Sequence, residues 1–407
     1  MSVTIADINR ADSRLTDESV VRRTGIETNR SLDEKTGATV ALKMEHLQRT
    51  GSFKTRGAYN KLKSLKESGC EATRVLTASA GNHAQGVALA ATKIGFDSTV
   101  VMPKNAPQAK VNATASYGAD TEVHGQDFRE AMEYAQSLLG PEDVFIPAYD
   151  DPEIVAGQGT IGLEIAEQVP DVDTVILPVG GGGLISGVST ALSNLSPETR
   201  VIGVQAAGAA TVSQSLANGG PQSCAEVRTI ADGIATGGIS QLTYDLIDEH
   251  VDSVIEVSDA EITESVLFLL ERSKQLVEAA GATTVAALLS DRIDVRGETV
   301  VPVLSGGNVE LGDLQRILTH GLADRGQLVR MEVRIVDEPG QMAKVSKIIG
   351  QHDANIRNVR HERYITDLSV GEAYLDFRVE TTGATQTKRI VTAISDAGYE
   401  VSSVSDL

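Results

Sequence analysis

Between about residues 38 and 320, short continuous apolar runs alternate with stretches whose apolar residues recur every three or four positions. "ATVALKME", "RVLTA", "STVVMP", "DTVILPV" and "RVIGVQA" are the runs, and their length and β-branched content predict strands. "TRGAYNKLKSL", "HAQGVALAATKIG" and "APQAKVNATASYG" lie among them and have helical spacing. Strands apolar on both faces, separated by helices, predict parallel sheets covered on both sides, the doubly wound α/β class. Ligands of such sheets sit beyond the carboxyl ends of the strands. The residues to inspect are therefore those that follow each run.

The pattern changes near residue 328. "LVRMEVRIV" alternates as a half-buried strand does, and "PGQMAKVSKIIGQHD" has helical spacing with Pro339 suited to a first turn. "NIRNVRHER" and "AYLDFRVE" alternate again, "TQTKRIVTAISDAG" is amphipathic, and "YEVSSV" closes the chain. The order βαββαβ predicts a ferredoxin-like unit. "THGLADRGQ", residues 319–327, reads as the linker. The expected organisation is one domain over residues 1–320, with a smaller subdomain inserted over about 46–150, and a second domain over 328–407.

Composition narrows the function. The 407 residues carry 56 acidic and 36 basic side chains, a net charge of −20, which disfavours nucleic acid and anionic membranes as partners. A carboxylate-rich surface adapted to high salt and an ordinary acidic soluble protein both fit. Two distant cysteines, Cys70 and Cys224, make neither a disulfide framework nor a zinc cluster and suit a reducing compartment. The start, "MSVTIADINRADSRL", lacks the apolar core of a signal peptide, so a cytoplasmic protein is expected. No histidine has metal-ligand spacing, and no metal is expected.

Four loops carry the candidate chemistry. In "SFKTRGA", Lys54 stands between an aromatic residue and small residues just ahead of a helix. A lysine held in an apolar site is easier to deprotonate and more nucleophilic, which fits a Schiff-base lysine. "TASAGNHAQG", residues 77–86, follows a strand and opens a helix, where free amides suit a carboxylate. "PVGGGGLISGV", residues 178–188, offers four consecutive glycines whose amides can cradle a phosphate. It lacks the spacing of a dinucleotide fingerprint. "PVLSGGNV", residues 302–309, presents Ser305 beside two glycines. Lysine, phosphate cradle, carboxylate loop and lone hydroxyl together describe a site for pyridoxal 5′-phosphate (PLP).

"SFKTRGA", "SAGNHAQG", "VGGGGL" and "SGGN", in this order and spacing, resemble the fold-type II PLP enzymes, and within them the threonine dehydratases (threonine ammonia-lyases), over about residues 15–320. "DEPGQMAKVSKIIGQHDANI" resembles an ACT domain, an amino-acid-sensing module. By this resemblance Lys54 binds PLP and removes the substrate Cα proton, Phe53 packs near the ring, and Asn82 meets the ring's 3′ oxygen. Ser79, Gly81, Asn82 and His83 would line the substrate. Gly180, Gly181, Gly182 and Gly183, with the Leu184 amide, would hold the phosphate, and Ser305 would face the ring nitrogen. A neutral serine there makes a weaker electron sink than a carboxylate and suits early loss of a β-hydroxyl.

The implied reaction is deamination of L-threonine to 2-oxobutanoate and ammonia by β-elimination, with L-serine as a further substrate. In the tail, Gly340 and Gln341 at a helix start, with Asn355, would bind an amino-acid effector such as isoleucine, and a homodimer or homotetramer is implied. Serine racemases share the resemblance. They carry a serine where this chain has Ala80, and bind a divalent ion through acids where it has Gln205 and Thr211. A non-catalytic amino-acid sensor is the alternative of another class, and the intact Lys54 and glycine loop count against it.

Overall fold

The computed structural model describes residues 2–224 and 226–404. The chain divides into two compact units, Met1–Val309 and Glu310–Leu407. The helix Leu311–Asp324, which the sequence pattern left at the end of the first domain, thus counts with the second unit. Among the described residues no helix is long and apolar enough to cross a membrane.

The first unit holds two sheets. The larger runs in the order Ile26–Thr28, Thr39–Lys43, Thr299–Pro302, Thr174–Pro178, Arg200–Ala206, Ser253–Val257. All its pairings are parallel except that of the short first strand, which lies antiparallel on Thr39–Lys43. The smaller sheet is wholly parallel, in the order Asp120–Val123, Asp97–Met102, Arg74–Ala78, Asp143–Phe145. Thr174–Pro178 is buried along its whole length, as a central strand covered on both faces must be. Ile161, Val175, Leu177, Ile185, Val188 and Val301 form its core. Tyr59, Leu62, Val75, Val87 and Ile146 form that of the smaller sheet.

The second unit contains the expected βαββαβ order. Leu328–Val336, Asn355–Glu362, Glu372–Glu380 and Glu400–Val404 make one antiparallel sheet, with Gln341–Gln351 and Ala384–Asp396 as its helices. Met331, Val333, Ile335 and their partners Phe377, Leu375 and Ala373 fill one face.

This topology separates the three residues proposed for an effector. Gly340 and Gln341 follow Val336, which pairs with Glu372. Asn355 pairs with Glu380, which also pairs with Leu328. The two places are at opposite ends of one strand, roughly 25 Å apart at about 3.3 Å per residue. The helix between them carries the chain back along the sheet, so closeness in sequence becomes distance in space. The Gln341 Oε1 accepts from the Tyr399 hydroxyl at 2.8 Å, and the Asn355 Nδ2 donates to Glu380 at 3.1 Å.

Candidate active site

A cavity opens where the strands of the first unit end. It is lined by Phe53, Lys54, Asn82, Tyr149, Gly180–Gly183, Leu184, Glu278 and Ser305, among others. Its space, open mouth included, is about 460 Å³, within the usual range for a cofactor site. Three of the lining loops follow strands: Asn82 starts the helix after Arg74–Ala78, the glycines follow Thr174–Pro178, and Ser305 follows Thr299–Pro302.

Lys54 begins the helix Lys54–Glu67. Its Nζ donates to the Ala148 carbonyl at 3.0 Å and lies 5.2 Å from the centre of the Phe53 ring. Burial pushes its amine down to about 8, against the opposing pull of Glu278. Two residues on, Arg56 is the largest fully buried side chain among the described residues. Its guanidinium grips Glu45 at 2.9 and 2.8 Å and Glu164 at 2.6 and 3.0 Å. Lys43, also buried, donates to Glu164 at 2.5 Å. The helix that presents the amine is thus anchored by a buried cluster of two cations and two carboxylates.

The glycine loop is shaped by near contacts. A Cβ on Gly181 would lie 2.3 Å from the Tyr149 ring, one on Gly180 2.8 Å from the Ile234 backbone, and Gly182 has φ +88°. Among the described residues, no carbonyl or side chain accepts from the amides of Gly181, Gly182, Gly183 or Leu184. Those donors remain for a ligand, as at any helix start.

Asn82 sits in a polar chain that the sequence did not reveal. Asn308 Nδ2 donates to Asn82 Oδ1 at 2.7 Å, and Asn82 Nδ2 donates to Glu278 Oε1 at 2.7 Å. One hydrogen of that amide nitrogen stays available to the cavity. Burial raises the Glu278 carboxyl, and the hydrogen bond from Asn82 opposes this. Asn308 closes the "SGGN" motif, whereas no local pattern ties Glu278 or Tyr149 to this cavity.

The other residues of the asparagine loop are placed differently. His83 is buried, and its Nε2 lies 3.0 Å from the Ile146 carbonyl. Burial and the neighbouring Lys54 push its imidazole down to about 3, so the ring is neutral. Ser79 Oγ accepts from the Gly81 amide at 3.2 Å. Asn82 is the residue of this loop that lines the cavity; the side chain of His83 is turned to the backbone of the smaller sheet. Ala80 packs among Ala84, Ala88, Val100 and Met102 and offers no proton. Gln205 accepts from the amides of Thr211 and Val212 at 3.0 and 2.8 Å. Its side chain thus ties its own loop.

The sequence profile of the pyridoxal-phosphate dependent enzymes matches residues 18–306. The chain belongs to this family. It is 43% identical to an L-threonine ammonia-lyase of Thermotoga maritima over 98% of this chain and 99% of the relative. The catabolic L-threonine dehydratase of Escherichia coli K12 is 42% identical over 78% of this chain and 96% of its own length. Among solved structures, the processed form of threonine deaminase isoform 2 from Solanum lycopersicum matches with a TM-score of 0.72 at 33% identity, covering 78% of this chain and 94% of the other. Maize serine racemase matches with a TM-score of 0.73 at 33% identity, covering 80% and 99%. Family members depend on PLP, and the residues present fit it. The cavity has an aldehyde-reactive amine, partnerless amides on a loop that a single Cβ would fill, and the buried Ser305 hydroxyl.

Proposed function

We propose that this protein deaminates L-threonine to 2-oxobutanoate and ammonia, and acts on L-serine as well. The observation that carries the reading is Lys54, whose desolvated amine faces one cavity with the glycine loop and Ser305. Near-full-length identity to a named L-threonine ammonia-lyase supports it.

When bound, PLP supplies an aldehyde for covalent attachment and an electron sink for the bond breaking at the substrate Cα. The chain does the rest. Lys54 holds the cofactor and then takes the Cα proton. With its amine near 8, about a quarter of it is neutral at pH 7.5, against about a thousandth for an ordinary lysine. The amides of Gly180–Leu184 would hold the phosphate, Asn82 and Ser305 would orient the ring, and Phe53 would pack beside it. The loop of Ser79, Gly81 and His83 receives the substrate carboxylate through its backbone. Ser305 would face the ring nitrogen with a hydroxyl that carries no charge, a partner that would suit a weak electron sink and early loss of the β-hydroxyl. Ala80 offers no second base, which disfavours racemisation.

The second unit is read as an ACT domain that binds isoleucine, with the protein a cytoplasmic homodimer or homotetramer. Because Gly340–Gln341 and Asn355 lie at opposite ends of one sheet, the effector site spans two copies. The test is release of 2-oxo acid from threonine and serine, with calorimetry of isoleucine and valine on the full chain and on a chain ending at Val309. Absence of 2-oxobutanoate from threonine overturns the activity. Equal isoleucine binding by the shortened chain overturns the effector site.

A further inference from the structure

Behind the glycine loop, the helix Gln241–His250 begins with a capping box formed by Ser240 and Thr243. Such a box normally has Glu or Gln at its third helical position, because that side chain needs only to accept from the cap backbone. Here the position is a threonine. The Thr243 Oγ1 accepts from the Ser240 amide at 3.1 Å, and its hydroxyl donates to the Gly181 carbonyl at 2.9 Å. Its contact with the Ser240 carbonyl is longer, 3.3 Å. A carboxylate could make the first bond but has no proton for the second. The threonine thus makes a bond beyond the helix that a glutamate at this position could not.

The contact is close and dry. Thr243 is fully buried, and a Cβ on Gly182 would meet the Thr243 Cβ at 2.8 Å. The Ser186 hydroxyl also donates to the Thr243 carbonyl at 3.3 Å, strapping this helix start to the helix Gly183–Leu195. The peptide between Gly181 and Gly182 is trans and planar, so its N–H points opposite to its carbonyl. A carbonyl held toward Thr243 turns the Gly182 amide away from that helix, and Gly182 is among the residues that line the cavity.

We propose that Thr243 is the positioning residue of the phosphate cradle: its hydroxyl fixes the 181–182 peptide and so aims the Gly182 amide at the cofactor's phosphate. The inference rests on the reading that the amides of Gly180–Leu184 hold that phosphate. It assigns to Thr243 no contact with cofactor or substrate.

The experiment strips the protein of cofactor and titrates it with PLP and with pyridoxal, following absorbance. Both carry the aldehyde that reacts with Lys54, so the ratio of their affinities isolates the phosphate. Thr243→Val keeps the shape and removes the hydroxyl. It should weaken PLP roughly three- to tenfold, the usual worth of one hydrogen bond, and leave pyridoxal unchanged. Thr243→Ser should keep the wild-type ratio. Ser240→Ala should lower the melting temperature and keep the ratio, because it removes a cap but not the bond to Gly181. If Thr243→Val does not fold, Thr243→Cys, with a weakly donating thiol in the same space, is read in the same way. An unchanged ratio in Thr243→Val, or equal losses for both ligands, overturns the role of Thr243. A wild-type protein that binds PLP no better than pyridoxal overturns the cradle itself, a distinct result.

Discussion

Replacing Arg56 with methionine should destabilise the first unit without touching the cavity wall. The guanidinium is matched to two carboxylates, and Lys43 supplies the second positive charge. With Arg56 gone, Glu164 keeps Lys43 at 2.5 Å, but Glu45 keeps only the Thr24 hydroxyl as a direct partner. Stranding a buried carboxylate in this way costs about 3–5 kcal/mol. For the unit Met1–Val309, an unfolding entropy of about 2.1 cal/mol/K per residue converts this to a loss of roughly 5–8 °C in Tm. The assay is thermal unfolding of the cofactor-free protein followed by far-UV circular dichroism, since bound cofactor would add its own stabilisation. Adding Glu45→Gln removes the stranded charge and should recover part of the loss. The pH dependence has a definite sign. Burial pushes the Glu45 carboxyl up, and the Arg56 guanidinium, with Lys43 and the Thr24 hydroxyl, more than reverses this, so Glu45 sits below the ordinary glutamate value of 4.5. A depressed folded value stabilises above that value and loses its contribution as pH falls through the folded value. In the variant Glu45 protonates more readily, so the gap to wild type should narrow on acidification. A loss under about 2 °C, which on the same scale is near 1 kcal/mol, a double variant no better than the single, or a gap that widens in acid would refute the reasoning.

Borohydride reduction of the holoprotein should place the pyridoxyl group on Lys54. In the cofactor-free protein, acylation of Lys54 should plateau above about pH 8, whereas a rate still climbing at pH 10 would contradict its desolvation. Ser305→Asp should depress elimination more than cofactor affinity, because a charged partner for the ring nitrogen strengthens the sink; unchanged kinetics would make the neutral hydroxyl irrelevant. Gly181→Ala puts a methyl 2.3 Å from the Tyr149 ring, an overpacking that costs about 1–3 kcal/mol of stability. Tyr149→Ala in the same chain should recover part of it, and a double variant no more stable than Gly181→Ala would trace the loss to the backbone.

The strands were legible because their periodicity leaves little choice: "RVLTA" and "RVIGVQA" coincide with Arg74–Ala78 and Arg200–Ala206. So were the loops after them, since a glycine run between a buried strand and a helix has few other uses. The antiparallel strand Ile26–Thr28 is three residues long, too short to show a period. The places of Glu278 and Tyr149 in the cavity wall were not legible because each reaches it from a distant segment, through contacts that no local pattern encodes. Arg56 looked like part of the setting of Lys54, yet its partners Glu45 and Glu164 lie 11 and 108 residues away. Within one chain Asn355 lies far from Gly340 for a related reason: a strand–helix pair returns the chain to where it began.

Lys54 and Arg56 stand two positions apart on one helix, about 200° around its axis. One faces the cavity and the other the ionic cluster. What fixes the Lys54 amine in place is therefore not what lines the cavity. Mutations that reshape the cavity for a different amino acid can accumulate without loosening the lysine, while changes at Arg56, Glu45 or Glu164 are punished whatever the substrate. The arrangement leaves the specificity of this scaffold free to drift in evolution, and a designer seeking new substrates would vary the wall and leave the anchor alone.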